Sequence, residues 1–195
     1  MLYTSLPLLC NNSIDDFFNK IDHFRLLRFL QETITDRELL QLIIQWLNVG
    51  CPRTGWAMGI PLGAVISPLL ANIYLHYLDL VMTGALNHPA WYHPPPGEEH
   101  PQWVYVRYAD DFIVLCRSRT QAELAFRWAE TTINTLLLSF EPSKTTITTF
   151  DDGFEYLGCT FKGAIFYFNY KNERVKVDTG SDWQLFYQYG PDGYP

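Results

Sequence analysis

The amino-acid sequence predicts an α+β domain in which helices pack on one face of a mostly antiparallel sheet. Helical patterns of apolar residues alternate with short runs of alternating or β-branched apolar residues, and a tight turn joins two of those runs. Apolar residues make up 48% of the 195 residues, which is a globular composition. The predicted order is strand, helices, hairpin, helix, strand and a small β unit, which is close to a split βαβ pattern.

The first half of the chain is predicted to contain three longer helices. One apolar-periodic helix covers residues 24–30. Thr35 and Glu38 have the spacing of a capping box, which predicts the start of a second helix. Ser67 followed by Pro68 predicts a third, with serine as the N-cap and proline at the first helical position.

The second half is predicted to be richer in strands. Residues 86–102 contain many prolines and indicate an exposed loop. Thr120 and Glu123 form a further capping box, which predicts a helix that continues to about Leu138. Short β-branched or aromatic runs predict further strands at residues 145–150, 154–158 and 165–168. The stretch 181–195 has no period, and no structure is assigned to it.

Charge and cysteine content restrict the possible functions. The net charge is −7 and the sequence pI is about 5.1, which argues against a complete nucleic-acid enzyme, because such enzymes normally carry a basic surface. Four scattered cysteines favour reduced thiols in a cytoplasm over disulfides or a zinc site: Cys10, Cys51, Cys116 and Cys159. No apolar run reaches membrane-spanning length, so no membrane partner is expected.

The most informative segment is Tyr108-Ala109-Asp110-Asp111, which lies between the apolar runs 104–106 and 112–116. Neighbouring residues within a strand point to opposite faces, so the two carboxylates can converge only if both lie at a turn. Converging carboxylates repel each other unless a cation lies between them, and oxygen ligands suit Mg²⁺. The alternative is an ordinary solvated Asp-Asp turn.

Four motifs in order make the chain resemble the palm domain of a reverse transcriptase (RNA-directed DNA polymerase), most closely the bacterial group II intron type. The resemblance extends over roughly Ser13 to Gly158. The first motif is a Gly-rich turn with the helix after it, Gly59-Ile60-Pro61-Leu62-Gly63 with Ser67-Pro68 and Asn72. The second is the acidic box, Tyr108–Asp111, and the third is a lysine-bearing segment, Glu141-Pro142-Ser143-Lys144-Thr145. The fourth is a primer-grip hairpin, Phe154–Gly158.

This resemblance implies RNA-templated DNA synthesis by nucleotidyl transfer with two Mg²⁺ ions. Asp110, Asp111 and the backbone carbonyl of Ile14 would hold the metals, and Lys144 would assist the departing pyrophosphate. The alternative for Lys144 is a solvated loop residue. An RNA template, a DNA primer and a dNTP would contact Phe18 at the steric-gate position and six further residues: Gly59, Pro61, Gly63, Ser67, Asn72 and Tyr108. Tyr156, Leu157 and Gly158 would form the primer grip.

The chain departs from the family pattern in its first motif, which is Ser13-Ile14-Asp15-Asp16-Phe17-Phe18-Asn19-Lys20-Ile21-Asp22-His23. Ser13 occupies the position of the expected metal-binding aspartate, and a serine hydroxyl is a weak, neutral Mg²⁺ ligand. Asp15 could replace it only if the strand shifted by two residues, which would misplace Phe18. Leu62 stands where the family usually has glutamine, and we expect modulation there rather than loss of function.

The domain organisation also differs from that of a complete enzyme. Residues 1–12 are expected to be an atypical remnant in which 9–12 do not form the usual apolar strand, 13–160 the palm, and 161–195 a β hairpin with an irregular tail and no recognisable thumb. We expect a truncated open reading frame without fingers, which would explain the net acidity.

Three functional expectations follow. The first is a reverse transcriptase fragment with reduced or no activity alone. The second is a non-catalytic palm-like subunit or nucleic-acid-binding module that needs a separately encoded fingers or thumb partner, or a CRISPR or intron partner. The third is an unrelated α+β binding module in which Asp110-Asp111 is merely a turn.

Overall fold

Two four-stranded antiparallel sheets and five helices make up the part of the chain that the computed structural model describes, residues 7–49, 58–86 and 103–178. The predicted loop beyond Leu86 and the tail 181–195 lie outside these residues. The helices are α1 (Phe17–Lys20), α2 (His23–Gln31), α3 (Arg37–Val49), α4 (Ser67–Met82) and α5 (Arg119–Thr135). The strands are β1 (Pro7–Asn12), β2 (Val104–Tyr108), β3 (Asp111–Leu115), β4 (Thr146–Thr149), β5 (Phe154–Tyr156), β6 (Cys159–Lys162), β7 (Ile165–Tyr170) and β8 (Glu173–Asp178).

The first sheet has the strand order β2-β3-β1-β4, and helix α5 packs against β1 and β3. Helix α4 packs against α5 and is joined to β2 by hydrogen bonds to Asp79. Tyr74, Leu75 and Leu78 of α4 are completely buried, as is Trp128 of α5. Burying each large apolar side chain contributes about 1.5–3 kcal/mol, so these two helix faces supply much of the stability of this layer. The predicted α+β class is confirmed. No helix in the described ranges is long and apolar enough to cross a membrane.

Residues 9–12 were not expected to form a strand, and this prediction is wrong. They belong to β1, which lies inside the first sheet and pairs with β3 on one side and with β4 on the other. Asn11 and Asn12 weaken the local apolar pattern. However, two neighbouring strands provide partners for the backbone amides and carbonyls, and this pairing outweighs the local preference.

The second sheet is a meander with the order β5-β6-β7-β8, so it continues without a break past residue 160. The rings of Phe154 and Phe161 stack across β5 and β6 with centroids 4.9 Å apart. Phe154 and Tyr156 pack against Ile113 of β3 in a small core of their own. This small core joins the second sheet to the strand that begins with Asp111.

Two helices begin with caps other than the predicted ones. At α3 the carboxylate of Asp36, rather than Thr35, accepts hydrogen bonds from the first backbone amides of the helix. At α5 the hydroxyl of Ser118, rather than Thr120, accepts from the amide of Gln121, and the side chain of Gln121 accepts from the amide before the cap. Both corrections have one physical reason. Several cap-forming residues lie close together, and the helix uses the one that its tertiary packing leaves at the start.

Candidate active site

The acidic turn, residues 108–111, joins β2 to β3 as a two-residue hairpin in which Tyr108 pairs with Asp111. Ala109 has a φ of 53°, while Asp110 is not in the left-handed region. A positive φ at a central residue is common in two-residue hairpins. Asp111 is the first residue of β3, and Asp110 lies in the loop of the turn. The expectation that both aspartates lie at the turn is therefore correct only for Asp110.

The two carboxylates nevertheless influence each other. Both are half-buried, and the pKa of Asp111 lies above its ordinary value because of burial and, after burial, because of the negative charge of Asp110. The positive charge of Lys144 favours the ionised form of Asp111 and offsets part of this rise in its pKa. The three side chains that the sequence proposed as catalytic therefore lie near enough for the charges of Asp110 and Lys144 to act on Asp111.

Lys144 lies in the short segment that connects α5 to β4. The amide of Glu141 donates to the carbonyl of Ser13 at 2.9 Å, which ties this segment to the end of β1. The amide of Lys144 and the hydroxyl of Thr145 both donate to the carbonyl of Glu141, and Ser143 donates to its carboxylate. These bonds fix the backbone of the segment and leave the Lys144 side chain exposed beside the acidic turn.

Ser13 follows directly on β1 and is buried, with 8% of its surface exposed. Asn12 pairs with Phe112 in the antiparallel register of β1 and β3. The next step along each strand brings Ser13 to the level of Asp111. Ser13, predicted from the sequence to stand in place of a metal-binding aspartate, therefore lies at the level of the acidic turn.

Asp15 does not take over the role of the missing carboxylate in this arrangement. β1 contains a one-residue bulge against β3 between Leu9 and Asn12. After Asn12, Ile14 forms a bridge with Phe140, and the amide of Asp15 donates to the carbonyl of Ser139 at 3.0 Å. The carboxylate of Asp15 forms an ion pair with Lys20. The role of the Ile14 carbonyl as a metal ligand stays a prediction.

The Gly-rich turn packs against the first motif. The amide of Ile60 donates to the carbonyl of Phe18 at 2.8 Å, so the proposed steric-gate residue is attached to this turn through its backbone. Gly59 has a φ of 87°, and a Cβ atom there would lie 3.2 Å from the carbonyl oxygen of Asn19. Glycine is needed at this position for its backbone conformation and because the Gly-rich turn and the segment around Asn19 approach each other closely.

The prediction that Ser67 is the N-cap of α4 is wrong. The capping position is Ile66, which makes no side-chain cap bond. The Ser67 hydroxyl donates instead to the carbonyl of Pro61 at 2.5 Å, and the residue is buried. This bond holds the Gly-rich turn against the helix, because the turn folds back over the first helical residue. Gly63 has a φ of 81° with open space around it.

Asn72 lies on α4 and accepts a hydrogen bond from Arg107 on β2 at 2.9 Å. Arg107 also binds Asp79 and the carbonyl of Ala109. Sequence analysis missed Arg107 and Asp79. The signal that could have revealed them was a cation immediately before the acidic box together with an acid seven residues after Asn72, two helical turns along the same face.

The proposed primer grip adjoins the acidic turn through Tyr156, whose hydroxyl lies 3.5 Å from the carbonyl oxygen of Asp111. Tyr156 pairs with Cys159, and Leu157 and Gly158 between them have φ values of 50° and 74°. Positive φ at both central residues is typical of a type I′ hairpin. Tyr108 is 66% exposed, so its ring is open to a ligand beside this hairpin.

The donor set at the acidic turn fits a hard cation. Carboxylate oxygens are the ligands that Mg²⁺ prefers, and a cation between Asp110 and Asp111 would offset the repulsion of their like charges. In residues 7–49, 58–86 and 103–178, no three His, Cys, Asp or Glu side chains cluster as metal ligands. The acidic turn therefore provides two carboxylates, and Ser13 lies at its level with a neutral hydroxyl.

Comparison with known proteins identifies the family. Residues 10–161 match the family described as reverse transcriptase (RNA-dependent DNA polymerase). The protein YkfC of Escherichia coli K12 is 27% identical over 168 residues, which cover 74% of this chain and 44% of YkfC. The group II intron-encoded protein LtrA of Lactococcus lactis subsp. cremoris is 42% identical over 67 residues, 32% of this chain and 11% of LtrA.

A third relative is the 91 kDa protein in the cob intron of Schizosaccharomyces pombe, which is 41% identical over 66 residues, 32% of this chain and 8% of that protein. The chain thus spans less than half the length of each of these relatives. The family match covers most of the chain and includes both strands of the acidic hairpin. By this match and by the palm-like α+β fold around its acidic turn, the chain belongs to the reverse transcriptase (RNA-dependent DNA polymerase) family.

Proposed function

We propose that this reverse transcriptase domain derives from an enzyme of RNA-templated DNA synthesis and has reduced or no polymerase activity alone. The observation that carries the proposal is the hairpin that places Asp110 and Asp111 side by side, where the half-buried carboxyl group of Asp111 is influenced by the charges of both Asp110 and Lys144. Such a combination of burial and specific charge partners is typical of a reaction centre.

The proposed roles of the residues are those that the family resemblance implies. Asp110 and Asp111, with the carbonyl of Ile14, would hold Mg²⁺, which when bound supplies charge stabilisation for the triphosphate and activates the primer hydroxyl. Lys144 would place its ammonium beside the leaving pyrophosphate. Phe18 would exclude a ribose 2′ hydroxyl.

The substrates proposed are an RNA template, a DNA primer and a dNTP. Tyr108 and the hairpin of Tyr156, Leu157 and Gly158 would support the end of the primer, since they adjoin the acidic turn. On the grounds of its scattered cysteines, we propose that the protein acts in a cytoplasm.

Ser13 is the reason for expecting low activity. A neutral hydroxyl at the level of Asp111 removes one negative charge from the metal cage. Loss of a ligand charge should cost several kcal/mol of transition-state stabilisation, and about 1.4 kcal/mol corresponds to tenfold in rate.

Primer extension on an RNA template with Mg²⁺ tests this proposal. We expect little extension by the purified chain, and a gain of about tenfold or more in Ser13→Asp that disappears when Asp110→Ala is added. Robust extension by the wild-type chain that Asp110→Ala abolishes would overturn the claim of low activity. Extension that Asp110→Ala leaves unchanged would show that Asp110 takes no part in the reaction.

A second candidate is a non-catalytic palm-like subunit or nucleic-acid-binding module that needs a separately encoded partner. It is favoured by an apolar patch on the Gly-rich turn and the start of α4, where Leu62, Val65 and Leu69 are 71%, 99% and 57% exposed. Exposed apolar groups that are contiguous often mark an interaction surface. Co-purification of one defined partner, lost in Val65→Asp, would support this function over independent catalysis.

A further inference from the structure

Arg107 forms a two-pronged ion pair that fastens β2 to α4. Its Nε donates to Oδ1 of Asp79 at 2.7 Å, and its Nη2 donates to Oδ2 of the same carboxylate at 2.6 Å. The Arg107 side chain is 9% exposed and that of Asp79 is 25% exposed, so solvent screens this pair only in part. A bidentate pair fixes the orientation of the guanidinium plane as well as its position.

The remaining nitrogen of Arg107 reaches the acidic turn. Nη1 donates to Oδ1 of Asn72 at 2.9 Å and to the carbonyl oxygen of Ala109 at 2.7 Å. Ala109 is the residue immediately before Asp110. A single guanidinium therefore connects two positions on α4 to the backbone that carries the first carboxylate.

Asp79 is itself held in place by a neighbour. The hydroxyl of Tyr105, also on β2, donates to Oδ1 of Asp79 at 2.9 Å. Burial, and then the charge of Asp79, raise the pKa of Tyr105, so this hydroxyl stays protonated and remains a donor. The Nδ1 atom of His76 lies 3.5 Å from Oδ2. Asp79 thus has a fixed position from which it can orient Arg107.

The acidic turn benefits from such a restraint for two reasons. Ala109 adopts the left-handed conformation, which residues with a Cβ atom adopt rarely. The carboxylates of Asp110 and Asp111 carry like charges close together, which favours their separation. A hydrogen bond to the Ala109 carbonyl opposes both tendencies, because it holds the peptide that sets the direction of the turn.

We propose that Arg107 is a positioning residue, anchored by Asp79, that holds the acidic turn so that Asp110 and Asp111 face a divalent cation together. This role rests on the proposed metal-binding function of the turn. Lysine could keep the charge at this position but could not reproduce the fork, since a single ammonium cannot bind Asp79, Asn72 and Ala109 in the same geometry.

The test combines amide hydrogen exchange with Mn²⁺ binding followed by electron paramagnetic resonance, on the full chain. The variants are Arg107→Ala, Arg107→Lys and Asp79→Asn. Arg119→Ala is the matched control, because Arg119 pairs with Glu123 on the exposed face of α5. Asp110→Asn reports whether the Mn²⁺ signal comes from the acidic turn.

We expect faster exchange in the acidic turn of all three variants, with exchange in α5 unchanged, and Mn²⁺ affinity reduced about tenfold or more, as is common when a residue that supports metal ligands is lost. Arg119→Ala should behave like the wild type. Arg107→Lys should resemble Arg107→Ala, because charge alone does not restore the geometry.

Two outcomes would overturn the positioning role. One is wild-type exchange and Mn²⁺ affinity in the Arg107 variants. The other is a uniform rise in exchange across both sheets and α5, which would show that Arg107 stabilises the whole fold. If Asp110→Asn leaves Mn²⁺ binding unchanged while Arg107→Ala still speeds amide exchange in the acidic turn, the restraint of the turn by Arg107 is supported and the proposed metal-binding function is contradicted.

Discussion

The hydroxyl of Tyr156 on the second sheet lies 3.5 Å from the carbonyl oxygen of Asp111, the first residue of β3. Tyr156 also packs with Phe154 against Ile113 of the same strand. The hairpin proposed to grip a primer is therefore attached to the acidic turn by both packing and a polar contact. Burial, and after it the charge of Asp111, raise the pKa of Tyr156, so its hydroxyl remains a donor.

This contact predicts different consequences for two substitutions at Tyr156. Tyr156→Phe removes a long hydrogen bond and keeps the ring, so the free energy of unfolding should fall by about 1 kcal/mol or less. Tyr156→Ala empties part of the small core and should cost about 3–5 kcal/mol. Urea unfolding of both variants measures the difference. Equal losses would show that the hydroxyl, and not the ring, joins the sheets.

The raised pKa of Asp111 predicts a pH-dependent gain from neutralising it. The folded state binds a proton on Asp111 more tightly than the unfolded state does, so its contribution to stability falls as pH rises from the ordinary value of 3.8 through the folded-state pKa. Asp111→Asn should therefore be more stable than the wild type at neutral pH, and the gain should disappear as the pH falls towards 3.8.

The measurement is the free energy of unfolding across this pH range with a chelator present. Asp151→Asn provides the control, because Asp151 is an exposed carboxylate in the turn before β5. Its difference from the wild type should not follow the same curve. A gain for Asp111→Asn that grows as pH falls would contradict the assigned direction of the pKa shift.

Mg²⁺ should stabilise the folded chain through the acidic turn. A ligand that binds only the folded state at about 100 times its Kd adds about 2.7 kcal/mol, which raises the Tm. Asp110→Asn should lose this increase, and Asp151→Asn should keep it. Thermal unfolding with and without Mg²⁺ measures both. A wild-type Tm that does not respond to Mg²⁺ would count against the metal site.

The start of α5 provides a matched pair of cap variants. Ser118→Ala removes the oxygen that accepts from the amide of Gln121 and should cost about 1 kcal/mol of stability. Thr120→Ala, two residues further on and exposed, should change stability by about 0.5 kcal/mol or less. Urea unfolding compares the two. A larger loss of stability for Thr120→Ala than for Ser118→Ala would indicate that Thr120, as the capping box predicted, is the N-cap.

Local patterns in the sequence predicted the parts of this structure that depend on neighbouring residues. The helix start signals at Ser67-Pro68 and at Thr120 with Glu123, and the hairpin around Asp110, all involve residues a few positions apart, and the structure has a helix at both places and the hairpin. The caps were less certain from sequence, since Thr35 and Asp36 are both suitable and differ by one position. The hydroxyl of Ser67 was assigned to its own helix because its true partner, Pro61, becomes available only when the turn folds back.

By itself, the sequence determined the family motifs, their order and the serine at the first-motif position, because these are properties of residue type and spacing. Only the tertiary structure decided that residues 9–12 form an inner strand and that Ser13 lies at the level of Asp111. It alone joined Arg107 to Asp79 and Ala109. β1 pairs with strands about a hundred or more positions away along the chain. The energy of such contacts depends on which groups are buried together, and no local pattern records that.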